Sequence, residues 1–147
     1  MAKNIVVDSH WQCKLSGLGL SSAVLTDQRY RQKMKGHLPI GWMAPEVLSG
    51  NAYTTGSDVW SFGVLLWEIF TLGSESFEKV SEDGIKEYIH SGGTLKIPRQ
   101  CPQSLHNVMI LCWSAIVDER PNFSDLSYAL KNIKSGNKVY MLPTEIN

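Results

Sequence analysis

From residue 57 onward, apolar positions recur at helical spacing and are separated by short polar breaks. Val59, Phe62, Leu66, Ile69 and Phe70 follow intervals of three and four, which predicts an α-helix. Ser57 is placed to cap its start, and Gly73 suits a left-handed stop. Val64, Leu65 and Trp67 carry the apolar surface round to the other side. A helix apolar nearly all round is enclosed by protein, so this segment is expected to be the spine of the domain. Three more helices follow. Residues 81–91 present Ile85, Tyr88 and Ile89, with Glu82 and Asp83 in the first turn and Gly92 beyond the end. Pro102 opens the next, with Leu105, Val108, Met109 and Cys112 or Trp113 on its inner face. The last begins near Asn122 or Ser124 and presents Leu126, Ala129, Leu130 and Ile133 before Gly136.

The front of the chain follows a different pattern. Ile5-Val6-Val7 is a short β-branched run, Asp8-Ser9-His10 a turn, and residues 11–15 a returning strand. Together they read as a small hairpin. Residues 16–38 lack periodicity and hold Arg29, Arg31, Lys33 and Lys35 close together. That reads as a long mobile loop, a feature often tied to function. Residues 39–45 read as compact and irregular, and residues 137–147 as a loose tail. The chain as a whole is mainly α, with one hairpin at the front.

A length of 147 residues suits one domain. Lys plus Arg and Asp plus Glu both number 14, so the net charge is zero. No basic excess points to nucleic acid or to an anionic membrane surface. Cys13, Cys101 and Cys112 form neither a C-x-x-C pair nor a metal-ligand spacing. They read as reduced thiols of a cytosolic environment. No apolar run reaches the ~18 residues of a membrane span, and the amino terminus lacks the apolar stretch of a signal peptide. A cytoplasmic location is expected, including the intracellular part of a membrane receptor. Direct membrane insertion by this chain is not expected.

The most specific segment is Leu38-Pro39-Ile40-Gly41-Trp42-Met43-Ala44-Pro45-Glu46. Its Ala-Pro-Glu belongs to the protein-kinase signature set. Ser57-Asp58-Val59-Trp60-Ser61-Phe62-Gly63, then Cys112-Trp113, then Asp118-Glu119-Arg120-Pro121-Asn122-Phe123 follow in the order kinases use. The chain thus resembles the C-terminal lobe of a protein tyrosine kinase domain. The resemblance runs from the end of the catalytic loop to the last helix, residues 1–134, with 135–147 as a tail and the N-lobe absent. Leu-Pro ahead of Trp-Met is similar to the tyrosine-specific subgroup. Within it the chain looks most like inactive receptor kinases of the colon-carcinoma-kinase or off-track type.

The resemblance implies roles for particular residues. Glu46 and Arg120 occupy positions that form a buried ion pair in the family, one costly to break. Asp58, at a buried helix start, would accept backbone hydrogen bonds. Trp60, Trp67 and Trp113 read as core. Asn4 stands where the catalytic loop has its metal-binding Asn. In Lys14-Leu15-Ser16-Gly17-Leu18-Gly19-Leu20, Gly17 stands where the family has its metal-binding Asp, and Leu18 replaces Phe. Gly41 replaces a Lys or Arg in the stretch that receives the substrate tyrosine, and Ser76 replaces a frequent Pro ahead of Phe77. Tyr30, flanked by Arg29 and Arg31, is a phosphorylation candidate.

Phosphoryl transfer depends on positioned phosphates, metal ions and a base. Active family members use ATP and magnesium. Here no catalytic group is intact, so no cofactor and no enzymatic activity is expected of the chain as given. The expected function is a pseudokinase docking module, with signalling proteins, an active kinase or the missing N-lobe as partners. The alternative is a fragment of an active receptor tyrosine kinase. Phe77 and Tyr88 are candidate contact points, and the hairpin side is expected to expose apolar surface.

Overall fold

The computed structural model describes residues 1–18 and 39–136. Residues 19–38, which hold most of the stretch read as a long loop with Tyr30 and the basic cluster 29–35, lie outside the described residues, as do residues 137–147. A short 3-10 turn, Ala2–Asn4, leads into β1, Ile5–Val7, which pairs antiparallel with β2, Cys13–Leu15. Val6 faces Lys14 across the pair. The returning strand starts two residues later than its β-propensity suggests, because Trp11 sits in the turn with a φ of 60°. Asp8 builds that turn: its carboxylate accepts the backbone N–H groups of His10 and Gln12 and pairs with Lys14 at 3.0 Å.

The region read as irregular, residues 39–45, holds a short 3-10 turn and leads into a short helix. A 3-10 turn covers Ile40–Trp42, and α1 covers Pro45–Leu48 with its proline in the first turn. The long helix α2 spans Thr55–Phe70. Its cap is Thr54, not Ser57. Thr54 Oγ1 accepts the Ser57 N–H at 3.2 Å, and Ser57 Oγ accepts the Thr54 N–H at 2.8 Å. Two hydroxyls three residues apart thus form a reciprocal capping box. At the other end Gly73, with a φ of 85°, returns its N–H to Glu68 O at 2.8 Å. The later helices are α3, Glu82–His90; α4, Gln103–Cys112; and α5, Phe123–Lys134. Ser81 caps α3 through the Gly84 N–H, and Asn122 caps α5 through the Asp125 N–H.

Helix α2 is the spine. The turn Ala2–Asn4, the turn Ile40–Trp42, the 3-10 turn Val117–Glu119 and α4 all pack on it. Val59, Trp60, Val64, Leu66 and Trp67 enter the core with Val108, Met109, Cys112, Trp113 and Leu126. Trp60, Trp67 and Trp113 are buried. Ile69 is not part of the inner face: it is 53% exposed. On the hairpin side Val6, Val7, Leu15 and Leu18 are exposed, and Trp11 is 88% exposed.

Candidate functional site

The hairpin register brings Asn4 and Gly17 together. Ile5 pairs with Leu15. Just beyond that pair, both the backbone N–H and the hydroxyl of Ser16 donate to Asn4 O, at 2.8 and 3.0 Å. Gly17 follows with a φ of 69°. A Cβ on it would lie 2.8 Å from Asn4 Oδ1 and 3.0 Å from Asn4 Cγ. Any other residue there would need a left-handed backbone, and the Asn4 amide would have to move.

Magnesium binds through carboxylates and substrate phosphates in octahedral oxygen geometry. Among the described residues, positions 4 and 17 offer one neutral amide and no carboxylate. Asp8, the hairpin's own acid, is committed to its turn. The Gln12 N–H first, then Lys14 and the His10 N–H, hold its carboxyl below the usual range. Among the described residues no three His, Cys, Asp or Glu side chains converge on one point. The residues at positions 4 and 17 do not fit a magnesium-nucleotide complex.

Glu46 and Arg120, separated by 74 residues, form a two-pronged ion pair. Nη1 donates to Oε1 at 2.7 Å and Nη2 to Oε2 at 2.9 Å. The guanidinium also donates to Ser114 O and Gly56 O, and its carbon lies 5.2 Å from the centre of the Trp60 ring. The Arg120 side chain is wholly enclosed, whereas that of Glu46 is 14% exposed. Burial alone pushes the Glu46 carboxyl up. The hydrogen bonds from Arg120 and its own N–H, together with the Arg120 charge, outweigh that and hold it below the ordinary range. The pair joins α1, the start of α2 and the segment entering α5.

Asp58 differs from expectation. It lies in the first turn of α2, but it is exposed, and no hydrogen bond to its carboxylate is described. The protein mass on one side still pushes its carboxyl above the ordinary value.

Glu68 is a site residue that the sequence reading missed. It is buried on α2, and its Oε2 accepts both the Ala2 N–H at 2.9 Å and the Trp42 indole N–H at 3.0 Å. Ser61 Oγ donates to Trp42 O at 2.7 Å. Helix α2 therefore holds Trp42 by its ring and by its backbone. The available signal was a single acid inside the apolar run Trp67-Glu68-Ile69. A charge placed there must be paired if the helix is enclosed.

Gly41 and Ser76 also meet. Gly41 is buried, and a Cβ on it would lie 2.5 Å from Ser76 Oγ and 3.4 Å from Phe77 Cδ2. Phe77 is not an exposed contact point. It packs on the core and meets Tyr88 edge-on, with ring centres 5.9 Å apart. Tyr88 is exposed and donates its hydroxyl to Thr94 O at 3.0 Å.

A helical unit with one hairpin, an Ala-Pro-Glu carboxylate gripped by a distant arginine and an Asn4 facing position 17 together define a kinase-type lobe. The protein tyrosine and serine/threonine kinase family matches residues 1–130, and the chain belongs to that family. It is 38% identical over 132 residues to the tyrosine kinase receptor Cad96Ca of Drosophila melanogaster, covering 90% of this chain and 17% of that protein. It is 39% identical over 136 residues to the proto-oncogene tyrosine-protein kinase ROS of Homo sapiens, covering 91% of this chain and 6% of that protein. It is 40% identical over 132 residues to fibroblast growth factor receptor 1 of Dugesia japonica, covering 90% of this chain and 15% of that protein. The chain therefore spans less than a fifth of the length of these relatives. Among the described residues no helix is long and apolar enough to cross a membrane.

Proposed function

We propose that the chain is the C-lobe of a receptor-type tyrosine pseudokinase and serves as a docking module in signalling, on the cytoplasmic side of a membrane receptor. The observation that carries this reading is position 17: a glycine packed directly on the Asn4 amide, with no carboxylate to take the metal ion that ATP brings. The framework around that defect is intact. The Glu46–Arg120 pair, the clamp on Trp42 and the packed spine maintain a lobe that can present a surface. The apolar residues exposed on the hairpin suit contact with a partner, whether a signalling protein, an active kinase or an N-lobe.

A second reading is a segment of an active ATP-dependent receptor tyrosine kinase. The retained Asn4 and the receptor kinases among its relatives favour it. The two readings separate in one experiment on the longest form of the protein that its transcript encodes. Magnesium-dependent ATP binding is measured by thermal shift, and phosphate transfer to a tyrosine peptide by radiolabel. The pseudokinase reading expects neither. Turnover on the peptide would overturn it.

A further inference from the structure

Helix α2 is apolar nearly all round, yet one stripe of it is left uncovered. Asp58, Phe62, Leu65 and Ile69 follow at intervals of four, three and four, and Leu72 continues the row just past the helix end. At 3.6 residues per turn these positions share one face. The rest of the circumference is occupied: Val59, Trp60, Val64, Leu66 and Trp67 enter the core, and Glu68 is buried and bonded. Along the stripe Asp58 and Ile69 are exposed, Leu72 is 94% exposed, and Phe62 and Leu65 are half-buried. Phe62 meets Phe123 edge-on, with ring centres 5.9 Å apart. Apolar residues alternating at three and four form the seam along which one helix packs on another. The two ends of this stripe differ in charge. Val117 closes on Gly56, so its 3-10 turn brings the exposed Asp118 and Glu119 to the end where Asp58 stands. At the other end, the bond from the Ala2 N–H to Glu68 sets exposed Lys3 beside the helix. The bond from Gln100 Nε2 to Phe70 O does the same for exposed Arg99. Acid and base lie about 18 Å apart along α2, at 1.5 Å per residue.

We propose that this stripe is the interface of a homodimer, in which α2 of one copy packs antiparallel on α2 of a second copy. The charge polarity selects that direction. A parallel pair sets like ends together, whereas an antiparallel pair sets Asp58 of each copy near Lys3 and Arg99 of the other. Leu65 then lies on the two-fold axis, and Phe62 meets Ile69 of the second copy. Such a contact is self-complementary and closes at two subunits. The net charge of zero adds no overall repulsion. This inference goes beyond the docking reading and does not depend on whether the protein turns over ATP.

The test is sedimentation equilibrium of the 147-residue chain from about 1 μM to about 1 mM, the span of weak specific contacts. A monomer–dimer equilibrium is expected. Ile69→Asp places a charge in the seam twice per dimer and should raise the dissociation constant roughly tenfold or more. Ile69 is already exposed, so the fold is retained, and circular dichroism checks this. Arg99→Glu should weaken association roughly three- to tenfold, since two rim pairs are lost together. Adding Asp58→Arg to it exchanges the charges and should recover the affinity. A monomer at about 1 mM overturns the proposal. So does open-ended association, or a dimer that Ile69→Asp leaves unchanged. Failure of the charge exchange to recover affinity overturns the antiparallel arrangement. A dimer of this chain that is absent from the longest encoded form hands the stripe to other residues of that protein and overturns the second copy as its occupant.

Discussion

Replacing Glu46 by glutamine separates the energetic roles of the two partners in the ion pair. The substitution keeps the shape of the side chain and one acceptor oxygen. It also turns an amide N–H₂ toward a guanidinium that has only donors. The Arg120 side chain is wholly enclosed and stays charged at any ordinary pH. Its bonds to Ser114 O and Gly56 O and its contact with Trp60 remain, but no negative charge offsets it. Breaking a buried pair by removing one partner costs about 3–5 kcal/mol. The stranded group here is the more deeply buried of the two, so Glu46→Gln belongs in the upper half of that range. Arg120→Met should cost less than Glu46→Gln through the charge term, because Glu46 keeps some contact with water. At roughly 3–5 °C per kcal/mol for a domain of this size, Glu46→Gln lowers Tm by about 12–25 °C. Against a total stability of about 5–15 kcal/mol, that is a large fraction.

The assay is urea and thermal unfolding of both single variants and of Glu46→Gln/Arg120→Met. The double variant should recover a large part of the Glu46→Gln loss, since it removes the stranded guanidinium charge together with its partner, and it is the uncompensated buried charge that carries most of the cost. The same cycle has a pH signature. The folded Glu46 carboxyl titrates below its ordinary value of about 4.5, so its contribution is fully present above that value. The contribution is lost as pH falls through the folded value, and Glu46→Gln should remove that part of the acid dependence. Single variants that each cost under about 1 kcal/mol, with no coupling between them, would place the pair among surface ion pairs and refute the reasoning.

Two further outcomes are expected. Thr54→Ala removes one half of the capping box on α2 and should cost about 1 kcal/mol, read as a Tm drop of roughly 3–5 °C; an unchanged Tm would show that Ser57 alone suffices. Burial pushes the Cys112 thiol up to about 12, against a small opposing pull from the Arg120 charge, so at pH 8 iodoacetamide should modify exposed Cys13 and spare Cys112 until the chain is unfolded, and equal rates would mean that the core opens readily.

What the sequence made legible was mostly local. The apolar spacing along α2, and the starts of the later helices near residues 81 and 122, depend on residues three or four apart, where chemistry and position nearly coincide. The capping box on α2 was misread by three residues because Thr54 and Ser57 are both cap-competent and serve each other. Glu68 was missed because its donors, Ala2 and Trp42, lie 66 and 26 residues away. Gly41 and Ser76 were each seen as departures, but only tertiary contact shows that one makes room for the other. Asp58 was given a buried setting by analogy with the family, and the described fold leaves it open to water. The missing carboxylate at position 17 could be read directly; its contact with Asn4 needed the hairpin register.

A single oxygen atom, Oε2 of Glu68, receives both the Ala2 N–H and the Trp42 indole. Neither donor can depart without leaving the other bound to a less well satisfied buried anion. The amino-terminal turn and the Trp42 segment therefore belong to one cooperative opening unit, joined across the girth of α2. A ligand that loosens the front of the hairpin would be felt at Trp42 through that shared acceptor, while the helix between them stays straight.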